Sequence, residues 1–179
     1  PLQKSNYAYV VESKDYHIPA LTYYLQDQGI TVASAFKPFG TKDKGLFSFG
    51  SLVIPVAPQK KTAEEAYEIL SQAQDLFKIQ IQDVSTGFSS SGVDLGSRYT
   101  RPLKKPKAVL LIGDGVRSYE AGEVWHLLDT RVGMPITKVH QNDFSKVPLD
   151  QYNTLVLVSG NYKWDEKTTE KLKTWVAKG

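Results

Sequence analysis

Two short runs carry residue types and spacings that could do chemistry. The first is Gly113-Asp-Gly-Val-Arg-Ser118, which follows the apolar run Val109-Leu-Leu-Ile112. Glycines between a strand and a helix let backbone N–H groups approach an anion, and the helix dipole favours negative charge there. The second is Glu123-Val-Trp-His126, a carboxylate and an imidazole one helical turn apart. In di-iron bundles such a pair is one part of a ligand set. Gly113, Asp114, Gly115, Ser118, Glu120, Glu123 and His126 are therefore the candidate ligand-binding residues.

Each run also has a structural reading. The turn departs from the dinucleotide fingerprint in two ways: its third glycine is Ser118, and His140 rather than a carboxylate stands near the end of the next strand. Ser118 suits a helix N-cap, and Glu120 and Glu123 suit the positive helix end but would repel a phosphate. A structural turn is the stronger expectation. The Glu123/His126 pair has no second copy, and His126-Leu-Leu-Asp129 and His140-Gln-Asn-Asp143 lack a third ligand. No metal site is expected. With no cysteine there is no thiol nucleophile, and Gly-x-Ser-x-Gly is absent, Phe49-Gly-Ser-Leu being only a piece of it. No catalytic residue is assigned.

The elements that must position these residues form two similar series. In the first, strand character at 7–11 precedes a helix over 17–28, with Ile18, Leu21 and Leu25 on one face and Gly29 as its stop. Strands follow at 30–35 and 51–56. Thr62-Ala-Glu-Glu65 is a capping box, opening a helix that buries Ala66, Ile69, Leu70, Ala73 and Phe77. Residues 79–84 alternate as a strand. The second series has a strand at 108–112, a helix at 119–131 stopped by Gly133, and a strand at 136–139. A buried strand at 154–158 and a helix at 165–177 with Leu172, Trp175 and Val176 inward complete it. Strands alternating with helices imply parallel pairing. The expected class is α/β, with two Rossmann-like or flavodoxin-like halves and mostly parallel sheets. The boundary falls near residue 103, giving subdomains 1–103 and 104–179. The loop 85–97, rich in small residues, lies before it and reads as functional or disordered.

The chain has 179 residues and a formal net charge of +3. Residues 1–103 carry 10 basic and 10 acidic side chains, residues 104–179 carry 12 and 9, so the excess lies in the second half around Lys104-Lys-Pro-Lys107. Without a basic helix or an interleaved aromatic platform, that run reads as a solvated linker, and no nucleic-acid partner is expected. No apolar run is long enough for a membrane span. The polar start without an initiator Met, and an end directly after a helical pattern, lead to the expectation of a piece of a longer protein.

The runs Lys105-Pro-Lys-Ala-Val-Leu-Leu-Ile-Gly-Asp-Gly-Val116 and Ser118-Tyr-Glu-Ala-Gly-Glu-Val-Trp-His-Leu-Leu-Asp129 resemble the C-terminal part of bacterial zinc carboxypeptidase-like proteins. In these, a class I glutamine amidotransferase-like domain follows a carboxypeptidase A-like catalytic domain. The resemblance extends to Phe47-Ser-Phe-Gly-Ser-Leu-Val-Ile-Pro-Val56, Gly92-Val-Asp-Leu-Gly-Ser97 and Tyr152-Asn-Thr-Leu-Val-Leu-Val-Ser-Gly-Asn-Tyr162. It implies an exported, periplasmic or secreted hydrolase whose zinc is held upstream by a His-x-x-Glu pair and a later His. None of this chain's three histidines is followed by Glu three residues on, and the amidotransferase cysteine has no counterpart. The resemblance thus implies a non-catalytic accessory region without a cofactor of its own. Its partners would be the upstream peptidase domain and a peptide substrate. The alternative is a small-molecule or nucleotide-binding module using the turn at 113–118.

Overall fold

The computed structural model describes residues 2–179, which divide into two compact units, one ending at Lys105 and the other beginning at Pro106. The first contains β1 (Ala8–Val11), α1 (Ile18–Asp27), β2 (Ala33–Ala35), a hairpin of β3 (Phe39–Thr41) and β4 (Gly45–Phe47), and β5 (Leu52–Pro55). Then come α2 (Ala63–Phe77), β6 (Gln82–Val84), β7 (Ser91–Gly92) and β8 (Thr100–Pro102).

Local chemistry sets the helix limits. The α1 helix stops at Gly29, whose φ of 80° suits glycine, and the Ile30 N–H returns to the Leu25 carbonyl at 2.9 Å. At the start of α2 the capping box is complete. The Glu65 N–H donates to Thr62 Oγ1 at 3.2 Å, and the Thr62 N–H donates to Glu65 Oε2 at 2.7 Å.

The main sheet has the order β6-β1-β5-β2-β8, and every neighbouring pair is antiparallel. This corrects the parallel pairing expected for the first half. The crossovers exist but are split. β1 and β2, joined by α1, run the same way with β5 between them; β5 and β6, joined by α2, run the same way with β1 between them. That is the split βαβ arrangement. Both faces of β1 are covered, as its uninterrupted burial shows. Tyr9 and Val11 meet Leu21, Leu25 and Leu70 from the two helices. Ala8 and Val10 face Phe39, Phe47 and Leu95, contributed by the β3–β4 hairpin and the loop that follows β7. The loop expected to be functional or disordered is therefore partly a core element, with Leu95 buried and the Leu95 N–H bonded to the Gly87 carbonyl.

The second unit contains β9 (Ala108–Ile112), α3 (Ser118–His126) and a π-turn (Leu127–Arg131), then β10 (Thr137–His140) and the short 3₁₀ turns Gln141–Lys146 and Leu149–Gln151. β11 (Thr154–Val156) and α4 (Glu166–Ala177) end it. Its sheet is parallel, in the order β10-β9-β11. The class is thus mixed α/β with a parallel sheet, and the reversal of strand order beside β9 makes the switch point of an open doubly wound sheet. A small core of Leu111, Phe144, Val147 and Leu149 is closed by Trp164, Leu172 and Trp175. The Phe144 and Trp164 ring centres are 4.7 Å apart.

Three local expectations change in this unit. The helix after β9 is α only to His126 and then widens into the π-turn, where the Val132 N–H reaches the Leu127 carbonyl. β11 is half-buried rather than buried and is shorter than expected, because it lies at the sheet edge. Val176 points outward and is 63% exposed, while Leu172 and Trp175 pack inward. Asp165 caps α4 by accepting the Thr168 N–H at 2.8 Å.

Candidate functional site

Ligands of open α/β sheets bind beyond the carboxyl ends of the strands, at the switch point. In the second unit that place lies between the turn after β9 and the segment after β11. Gly113, Asp114 and Gly115 lie in it, and Ser118 and Glu120 open α3 beside it. Glu123 and His126 sit farther along α3, exposed. Among the described residues no group of three or more His, Asp or Glu side chains is disposed to hold a metal ion. Glu123 and His126 share one helix and both face solvent.

The turn is tied to the chain's own segment 159–161. The Arg117 N–H donates to the Ser159 carbonyl at 2.9 Å, and the Asn161 N–H donates to the Gly115 carbonyl at 2.9 Å. These two bonds frame an antiparallel bridge between Val116 and Gly160. The Val116 N–H closes the turn on the Gly113 carbonyl at 3.0 Å. The Val116 and Arg117 N–H groups are thus engaged within the chain.

The glycines are explained by the same junction. A Cβ on Gly160 would lie 3.0 Å from the Gly115 carbonyl oxygen and 3.2 Å from Val116 Cα. A Cβ on Gly113 would lie 2.2 Å from the His140 ring, and its φ of +103° is unsuited to other residues. His140 reaches the turn from the end of β10. Its Nε2 lies 3.4 Å from the Asp114 N–H and its Nδ1 lies 3.3 Å from the Asn142 N–H. A neutral imidazole has one lone-pair nitrogen, so it accepts from one of these donors at a time. Gln141 Nε2 donates to the Asp114 carbonyl from the adjoining 3₁₀ turn.

Ser118 is not the N-cap. Arg117 holds that position, with no side-chain cap, and Ser118 is the first helical residue. The carboxylate at the helix start is Glu120, whose Oε2 accepts the Ser159 N–H at 2.8 Å. That bond holds its carboxyl below the ordinary glutamate range. A depressed folded-state value means the contribution is present at neutral pH and is lost as pH falls through the folded-state pKa. The Ser159 amide resonance is expected to titrate with a midpoint below that of an ordinary glutamate, and Glu120→Ala should abolish the step.

Ser159, Gly160 and Asn161 were not legible as site residues; the only trace was a small-residue run after an apolar strand, matching that after β9. In the first unit the loop at 85–97 borders two hollows of about 320 and 520 Å³ that share Ser85, Thr86 and Phe88. Among the described residues no helix is long and apolar enough to cross a membrane.

No protein-family model matches the chain, and no curated relative matches it. Among solved structures, a formyltetrahydrofolate deformylase from Pseudomonas putida KT2440 is similar at a TM-score of 0.25 and 12% identity. The match covers 96% of this chain and 55% of that one, so the chain spans just over half of that protein's length. A likeness that loose carries no argument about fold or activity.

Proposed function

We propose that this chain is a non-catalytic accessory α/β region of a zinc metallocarboxypeptidase-like hydrolase. It would support an upstream peptidase domain, or present peptide substrate to it, with zinc held in that other domain. The reading begins from the sequence resemblance at 105–129. One structural observation supports it over its competitor. Where an open α/β sheet takes a ligand, the chain bonds to itself, through Arg117 to Ser159, Asn161 to Gly115 and Ser159 to Glu120. A turn used in this way serves as a joint between two loops.

The second reading, a small-molecule or nucleotide module, draws on the location of the turn at the switch point and at the start of α3. Against it stand the Val116 and Arg117 N–H groups, already bonded within the chain, and the Glu120 carboxylate at the helix start.

The purified chain is expected to release no C-terminal amino acid from peptides and to hold no stoichiometric zinc by elemental analysis. One tightly held zinc per chain, or metal-dependent hydrolysis, would refute the accessory reading. A coding sequence lacking an adjoining His-x-x-Glu peptidase domain would also count against it.

A further inference from the structure

We propose that the end of the main sheet formed by Phe36, Lys37, Phe49, Arg98, Tyr99 and Arg101 binds an acidic polypeptide segment, with the carboxylates on the three cations and an apolar side chain against Phe49. The residues come from three places in the sequence. The fold joins them where β2 ends, β8 begins and the turn before β5 passes, as the Phe36 N–H bond to the Tyr99 carbonyl at 2.7 Å shows.

The cations are arranged on rings and left without counter-charges. Lys37 Nζ lies 4.1 Å from the Tyr99 ring centre, and the Arg98 guanidinium lies 5.1 Å from it while Nη2 donates to the Tyr99 hydroxyl at 3.0 Å. The Arg101 guanidinium lies 4.9 Å from the Phe36 ring centre. Phe36 meets Phe49 edge to face at 5.8 Å. Among the described residues, none of the three cations forms an ion pair, whereas Lys4, Lys44 and Lys105 in the same unit each hold a carboxylate. Glu12, whose carboxylate accepts the Ser48 N–H next to Phe49, is turned to the backbone. The Tyr99 phenol is held below the ordinary tyrosine range by the Arg98 bond and then by Lys37, which agrees with a locally positive field.

Three features choose the occupant. Guanidinium groups bind carboxylates with charge-assisted bonds, and Arg98 and Arg101, with one nitrogen each on Tyr99 Oη and the Arg98 carbonyl, keep further N–H donors for one. Stacked bases need open ring faces, but cations already sit over Tyr99 and Phe36, leaving Phe49, 62% exposed, as the open apolar contact. The outer edge of β8 offers no ladder: the Thr100 N–H is bonded to the Ser97 carbonyl and Pro102 has none. A partner is therefore held by side chains rather than as an added strand. The inference stands on this unit alone, independent of the accessory reading.

The test is fluorescence anisotropy on the full chain, with fluorescein-labelled Glu-Glu-Phe-Glu-Glu, its lysine counterpart Lys-Lys-Phe-Lys-Lys, and a labelled oligodeoxythymidine. The acidic peptide is expected to bind saturably, with a Kd on the order of 100 µM that weakens as salt rises. Arg98→Ala with Arg101→Ala should weaken it at least roughly tenfold, as loss of charge-assisted bonds requires. Lys60→Ala, a cation beyond the far end of β5, should leave binding unchanged. No saturable binding, equal binding of the lysine peptide, or tighter binding of the oligonucleotide would overturn the proposal. So would a folded double variant with unchanged affinity. Should that variant fail to fold, Lys37→Ala and the comparison of the two peptides decide the matter.

Discussion

Gly113→Ala is expected to destabilise the second unit by about 2–4 kcal/mol, measured by denaturant unfolding. Two effects contribute. At φ +103° an alanine is strained, which costs on the order of 1–3 kcal/mol. Its Cβ would also overlap the His140 ring, 2.2 Å away, and the ring must turn out of the turn to admit it. The two parts are separable. In Gly113→Ala with His140→Ala the overlap is gone and only the backbone strain remains, so the double variant should lose less than the sum of the singles. Additive losses would show that His140 does not pack on the turn.

A comparable loss, about 3–5 kcal/mol, is expected for Phe144→Ala. Phe144 is fully buried, lies tilted against the Trp164 ring, and belongs to the group that includes Leu111, Val147 and Leu149. It comes from the 3₁₀ turn Gln141–Lys146. A unit this small buries a modest core and has only a few kcal/mol in hand. Phe88→Ala is the control: that side chain is 80% exposed, and its loss should change stability by less than about 0.5 kcal/mol. Equal losses for the two substitutions would mean that the Phe144 group is not the core of this unit.

Much of the architecture was legible because its signals are local. The capping box at Thr62 and Glu65 depends on residues three apart, and Gly29 ends α1 through its own φ. The parallel sheet of the second unit follows from strands separated by crossovers. The pairing in the first unit was not legible from that rule, because a split crossover has the same order of strands and helices as a direct one. A signal did exist between β2 and β5, where residues 36–51 contain no helical pattern, only a hairpin with Gly40, Gly45 and Gly50. Two strands joined without a crossover helix run antiparallel. β5 is inserted on that ground.

The site residues divide in the same way. Gly113, Gly115 and Glu120 were found because a strand, a turn and a helix start are contiguous. Ser159 and Asn161 were missed because their role is to meet a turn more than forty residues away, which periodicity does not report. The basic and aromatic cluster was invisible for a related reason. Phe36 and Lys37, Phe49, and Arg98 to Arg101 are distant in the chain, so no interleaved platform is seen until β2 and β8 pair.

In the proposed reading the turn at 113–118 is a joint closed by residues 159–161, and no nucleotide binds there. Two-dimensional amide NMR of the full chain, titrated with ATP and then with NAD, tests it residue by residue. The amides of Gly115, Val116, Arg117 and Ser159 should stay in place at millimolar nucleotide. Saturable displacement of those four resonances would contradict the claim and make the turn a binding site.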